Sequence, residues 1–212
     1  MKTLKVEYFE DLNYLTINEV AHFFQNRMSW NYINIVNWSD DFPYKPDCKF
    51  KIARSNSKLF IRFEVNEKNL LATFTGDNDP VWQDSCVEFF CRLPGHTSYF
   101  NFEFNCIGTC LASKRDGREL NIVPFTQEQL ADVERHSSLP FKTFTEQKGN
   151  FDWNLTIAIP LKLIEAEKAS CLHANFYKCG DKTSDPHYLS WNNIDTENPN
   201  FHCPEFFGEL SF

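Results

Sequence analysis

Pro80-Val81-Trp82-Gln83-Asp84-Ser85-Cys86-Val87-Glu88-Phe89-Phe90 starts as a turn, presents an indole and then enters a run of β-forming residues. The polar turn Gly76-Asp77-Asn78-Asp79-Pro80 leads into it. Within the run, Val87 and Phe89 alternate with Cys86, Glu88 and Phe90, which is the two-residue period of a strand. The next apolar stretch, Tyr99 to Ile107, repeats the pattern: Phe100, Phe102 and Phe104 share one face, and Asn101, Glu103 and Asn105 share the other. If the two strands are neighbours, Glu88 joins Glu103 in a strip of carboxylates and amides on one sheet face. A solvated polar face would show the same alternation. What adds meaning is the flat ring at the loop edge six residues before Glu88. A sugar has an apolar C–H face that stacks on aromatics and a belt of hydroxyls that needs fixed polar partners.

Working outward, the same period recurs. Phe50 to Ala53, Lys58 to Asn66, Phe141 to Thr145, Phe151 to Ile159, Leu172 to Tyr177, His187 to Trp191 and Phe206 to Phe212 all read as short strands, separated by turn residues. Asn175 and Tyr177 alternate with Ala174 and Phe176, so they reach the polar face too. Thr16-Ile17-Asn18-Glu19 is a capping-box pattern for a helix running to about Asn26. A second short helix is expected near Gln127 to Arg135, inside a charged rim insertion from Asp116 to Pro140. Many alternating strands and little helix predict an all-β fold, an antiparallel β-sandwich or jelly roll with one or two short helices. Residues 1–212 read as a single domain, with residues 1–30 as an N-terminal extension packed on it.

Composition narrows the functional classes. The chain has 212 residues, a formal net charge of −8 and 16% aromatics, 22 of them Phe. An acidic surface repels phosphate backbones, which argues against nucleic acid as a partner. No stretch approaches the length of about 18 apolar residues needed for membrane insertion, and no secretory h-region opens the sequence. The expected location is the cytoplasm as the sequence stands, or outside the cell or in the periplasm if a leader has been removed. Eight cysteines contain no C-x-x-C, and four of them lie in or beside apolar strand runs, so buried reduced thiols are favoured over a disulfide framework.

Two ordered stretches carry a resemblance to a known family. Trp82 to Phe90 resembles the W-x-x-D-S-x-V-E-x-F signature of the family 9 carbohydrate-binding modules, β-sandwich domains attached to bacterial xylanases. Asp84 and Ser85 lie one position nearer to the tryptophan than in that signature. Leu189-Ser190-Trp191 and Asn198 to Leu210 are similar to the family's closing segment with its x-x-P-x-x-F-G-x-L ending. The resemblance implies that two loop rings clamp a terminal sugar while a glutamate and an asparagine bind its hydroxyls. Carried over, the rings fall on Trp82 and Phe201, the glutamate on Glu88 and the asparagine on Asn198. Glu103 stands where the family has an arginine, leaving Arg62 or Arg118 as substitutes. The family's structural calcium would fall on the turn at Asp77 and Asp79, and no other cofactor is implied. The expected ligand is a mono- or oligosaccharide, with a separate glycoside hydrolase as an associated partner.

Two rival readings follow from the same residues. A glycoside hydrolase needs two carboxyls roughly 5 to 9.5 Å apart, and Asp84, Glu88 and Glu103 could supply a pair. No nucleophile elbow, H-E-x-x-H or phosphate loop accompanies them. A haem-binding sandwich would draw axial ligands from Met28, His96, His173 or His187.

Overall fold

The computed structural model describes residues 1–25 and 27–212. In chain order the elements are β1 (Thr3–Lys5), β2 (Glu7–Tyr8), α1 (Ile17–Gln25), β3 (Asn31–Tyr32), β4 (Ile35–Val36), β5 (Asp47–Arg54), β6 (Lys58–Ala72), β7 (Cys86–Arg92) and β8 (Tyr99–Asn105). They continue with β9 (Cys110–Arg115), β10 (Val123–Pro124), α2 (Gln127–Ala131), β11 (Glu134–Ser137), β12 (Phe144–Pro160), β13 (Cys171–Cys179), β14 (Tyr188–Ser190) and β15 (Gly208–Ser211). One sheet runs β1-β15-β13-β7-β8-β9-β10, with β14 on β13 and β4 on β14; the other runs β11-β12-β6-β5-β2, with β3 on β5.

The alternation read from the sequence sorts the side chains into layers. Val87, Phe89, Phe102, Phe104 and Phe176 face inward from the first sheet and meet Phe50, Ile61, Phe63, Leu155 and Ile157 of the second. Phe50 and Phe176 stack across the interface at 3.7 Å. Trp191 packs edge-on to both rings, so it is core. The interior also holds an ion pair: Lys178 of β13 pairs with Glu67 of β6 at 2.9 Å, both side chains fully buried. Trp153 donates its indole N–H to Glu67, and Lys178 also donates to His187 Nε2.

Several elements depart from expectation. The N-terminal segment is woven into both sheets rather than laid upon them: β1 pairs with β15 and β2 with β5, and these two pairings are parallel. α1 covers the outer face of the second sheet, setting Val20 and Phe24 on Phe60 and Ala158. Its capping box forms between Thr16 and Glu19, and the expected end at Asn26 lies outside the described residues. The rim segment carries α2, capped by Thr126 and Gln129, but the helix stops at Ala131 because Glu134–Ser137 pair with β12 as an edge strand. The two strands expected at 141–145 and 151–159 are one strand, β12, with register irregularities at its polar middle.

Candidate functional site

The signature stretch folds as a short 3-10 turn, Val81–Gln83, feeding β7. Asp84 is fully buried and holds that turn in place. Its carboxylate accepts from the Thr73 N–H and hydroxyl, the Phe74 N–H and the Asn105 side-chain amide, at 2.7 to 3.2 Å. Ser85 Oγ accepts from Leu71 N–H and donates to the Asn69 carbonyl. The Asp-Ser pair therefore ties the turn to β6 and β8 and stays out of solvent. Trp82 is left half exposed on the outer side, and its carbonyl and that of Gln83 accept from Asp181 and Lys182 N–H of the loop after β13.

Strand register brings the polar residues together. Across the outer face of the first sheet, Tyr177 lies opposite Glu88, Glu88 opposite Glu103, and Glu103 opposite Leu111. Above this row is a cavity of about 290 Å³. Its floor is Glu88, Glu103, Leu111 and Cys179, its walls are Trp82, Tyr188, Phe201 and His202, and Arg115, Arg118 and Asp181 stand round it. A larger cleft of about 740 Å³ lies between Tyr32, Lys49, Glu64 and Asp152 on the second sheet, but it holds none of the signature residues.

The hollow is acidic, and the glutamates of its floor are buried. Burial, then the neighbouring Glu103, pushes Glu88 well above the usual carboxylate range, against the Cys179 thiol that donates to Oε1 at 3.1 Å. Burial raises Glu103 to about 7, opposed by Arg115 and by the Asn101 amide on Oε1. That amide is fixed in turn: Ser113 Oγ donates to Asn101 Oδ1, and Arg115 Nε donates to Ser113 Oγ. Glu103 Oε2 is buried with no hydrogen-bond partner. Asp181 is raised to about 6, chiefly by burial. His202 falls to about 3 through burial and the two arginines, so its ring is neutral where Nδ1 meets Tyr99 Oη at 2.9 Å.

Not every expected site residue lies in the hollow. Trp82, Glu88, Glu103 and Phe201 do; Phe201 is only 8% exposed, stacked flat on Tyr177 at 4.2 Å, so it is a fixed wall and not a free-standing ring. Tyr177 supports that wall from beneath and donates its hydroxyl to the Phe201 carbonyl. Asn175 is buried, and its amide pairs with the backbone of Asn192, which pins the closing loop. Asn198 is exposed and does not line the cavity; Asn200, two residues on, does. Arg118 is at the rim as expected, whereas Arg62 lies under α1 and bonds the Ala21 carbonyl and Glu64. Arg115 is not among the expected residues, although its parity with Ser113 and Leu111 places it outward on β9; Tyr188 comes in at the start of β14, and Asp181 is brought in by the loop after β13, which has no period to read.

The metal expectation meets engaged carboxylates. Arg135 grips both oxygens of Asp77 at 2.7 and 2.8 Å, and Asp79 accepts from Gly76 N–H within its own turn. This arrangement fits an ion pair and a turn cap, not a calcium cage. Elsewhere Cys86, Glu88 and Cys179 bring donor atoms within 4.8 Å of one another; burial holds the Cys86 thiol at about 12 and Cys179 well above its ordinary value. All eight cysteines are free thiols. His187, the buried haem-ligand candidate, has both ring nitrogens engaged, by Lys178 and by the Asp185 carbonyl.

A sandwich that opens a ring-walled acidic hollow on the outer face of one sheet belongs to the class of sugar-recognising β-sandwich modules. The description "Carbohydrate-binding family 9" matches residues 18–212, and the chain belongs to that family. A protein of known crystal structure from Bacteroides uniformis, provisionally described as carbohydrate-binding, is 37% identical, with 100% of this chain and 99% of that one covered and a TM-score of 0.92. A family 9 module from Caldicellulosiruptor kristjanssonii in complex with glucose shares the fold at 14% identity, with 99% and 95% of the chains covered and a TM-score of 0.65. Its cellotriose complex gives 14% identity, 99% and 93% coverage and a TM-score of 0.64. No curated protein matches the sequence. Family membership makes this a non-catalytic carbohydrate-binding protein.

Proposed function

We propose that the hollow under Trp82 is the sugar site and holds one pyranose unit. A single observation carries this reading: Trp82, Glu88, Glu103 and Phe201, spread over 120 positions of the chain, line one cavity. Trp82 gives the ring its stacking face. Phe201 and Tyr188 close the sides, and Glu88 and Glu103 take the hydroxyls from below. The relatives solved with glucose and with cellotriose support a glucose-type unit, free or at a chain end. Recognition without turnover suits a role beside a separate glycoside hydrolase, which co-purification on an immobilised chain would test.

The test of the site is a glycan array followed by calorimetry on wild type and Trp82→Ala. Loss of about tenfold or more in affinity with an unchanged melting temperature is expected, since a half-exposed ring contributes stacking and little core. Unchanged binding would move the site elsewhere, with the cleft between Tyr32 and Asp152 the next place to look.

A further inference from the structure

The hollow holds more acidic groups than a neutral sugar answers. Glu88, Glu103 and Asp181 all line it, and among the described residues none of the three has a cationic side chain within ion-pairing distance. The nearby cations are engaged otherwise: Arg115 donates to Ser113 Oγ and to the Arg118 carbonyl, and Arg118 is exposed beside Glu119. Glu103 Oε2, in a side chain that is 4% exposed, has no hydrogen-bond partner, while Oε1 is taken by Asn101. A buried acceptor left unpaired is costly, and a donor brought by a ligand recovers that cost.

Two kinds of positive donor could answer these acids, a metal ion or an ammonium group. The three carboxyls do not converge as metal ligands do. Among the described residues the one trio of donor atoms within 4.8 Å of each other is Cys86, Glu88 and Cys179, which includes neither Glu103 nor Asp181. Acids dispersed over the floor of a cavity of about 290 Å³, beneath an indole, match a ring that carries its charge at one corner.

We infer that the hollow takes an amino sugar, a pyranose whose free protonated amine is directed to Glu103 and Glu88. This rests on the reading of the hollow as the sugar site. The ammonium supplies charge-assisted hydrogen bonds to the unpaired Oε2 and its neighbour, the ring hydroxyls face Arg115 and Arg118, and Trp82 covers the apolar face. An N-acetylated sugar has lost the charge, and a uronic acid would set like charge against the floor. Burial raises both glutamates, Glu103 to about 7, so an ammonium that favours their carboxylate form releases a proton on binding.

Calorimetry on the intact chain at about pH 6.5, in two buffers of different ionisation heat, tests this with D-glucosamine, D-glucose and N-acetyl-D-glucosamine. Glucosamine is expected to bind about tenfold or more tighter than the other two and to release protons. Glu103→Gln should draw the glucosamine-to-glucose affinity ratio toward one, whereas Trp82→Ala should weaken every sugar that binds and leave the ratio standing. If Glu103→Gln does not fold, Glu88→Gln carries the same expectation. Glucosamine bound no tighter than glucose overturns the inference and leaves the sugar site intact. A preference that survives both glutamine variants overturns the assignment to this floor. Binding of none of the three sugars removes the site reading together with the inference.

Discussion

Glu103 shows how much a single carboxyl can shift the pH response of a whole molecule. Its ordinary value is 4.5, and burial holds it at about 7 in the folded chain. In the unfolded chain the group ionises first, so the folded state binds the extra proton and stability falls as pH rises from about 4.5 to about 7, then levels off. Below that window both states are protonated and the group is neutral in effect. Glu103→Gln is therefore expected to raise the melting temperature at pH 8 by several degrees and to leave it unraised at pH 4.5, as thermal melts at the two pH values would show. A glutamine also suits the local bonds, since its carbonyl can still accept from Asn101. Equal gains at both pH values would mean that Glu103 is not held protonated. The chemistry of this pair was legible from alternation alone, because Glu88 and Glu103 share an outward parity and their strands are neighbours. The unpaired oxygen was not, since a sequence does not show which donor reaches which lone pair.

At the level of the element, the signature turn separates what presents the ring from what fixes it. Trp82 faces out while Asp84 is buried among four donors from the loop after β6 and from β8. Asp84→Ala would strand those donors, and a loss of about 3 kcal/mol or more is expected in urea unfolding, with weaker sugar binding because the Trp82 turn loosens. Unaltered unfolding would show that the turn stands without it. Where a segment kept a regular alternation or a local cap, its sequence was readable, as with β7, β8 and the capping box of α1. Where tertiary pairing overrode local preference it was not: Glu134–Ser137 is a polar run that becomes strand only because β12 offers it an edge. Asn198 illustrates the limit of counting along a loop, because Pro199 and the turn toward His202 carry Asn200 to the cavity instead.

Taken whole, the sandwich is joined by a charge as well as by apolar contact. Lys178 and Glu67 meet between the sheets with no exposed surface, and Glu67 also accepts from Trp153. Removing one partner leaves the other charge buried and alone, so Lys178→Met is expected to cost about 3–5 kcal/mol in denaturant unfolding. The double variant Lys178→Met with Glu67→Gln should recover much of that loss, and a double variant as unstable as the single one would count against this account. Alternation predicted the two-layer architecture but not this pair, since both residues stand at inward parity, where a strand pattern leads one to expect hydrophobes.

That ion pair shares its strand with the hollow. Lys178 points inward from β13 while Tyr177 and Cys179 on either side of it point outward, one beneath the Phe201 wall and the other in the floor. A slip of β13 by one residue would turn the ammonium out to solvent and bury the face of the proposed site in the same movement. Misassembled molecules would thus lose cohesion and the proposed sugar site together, so the fold polices its own fidelity.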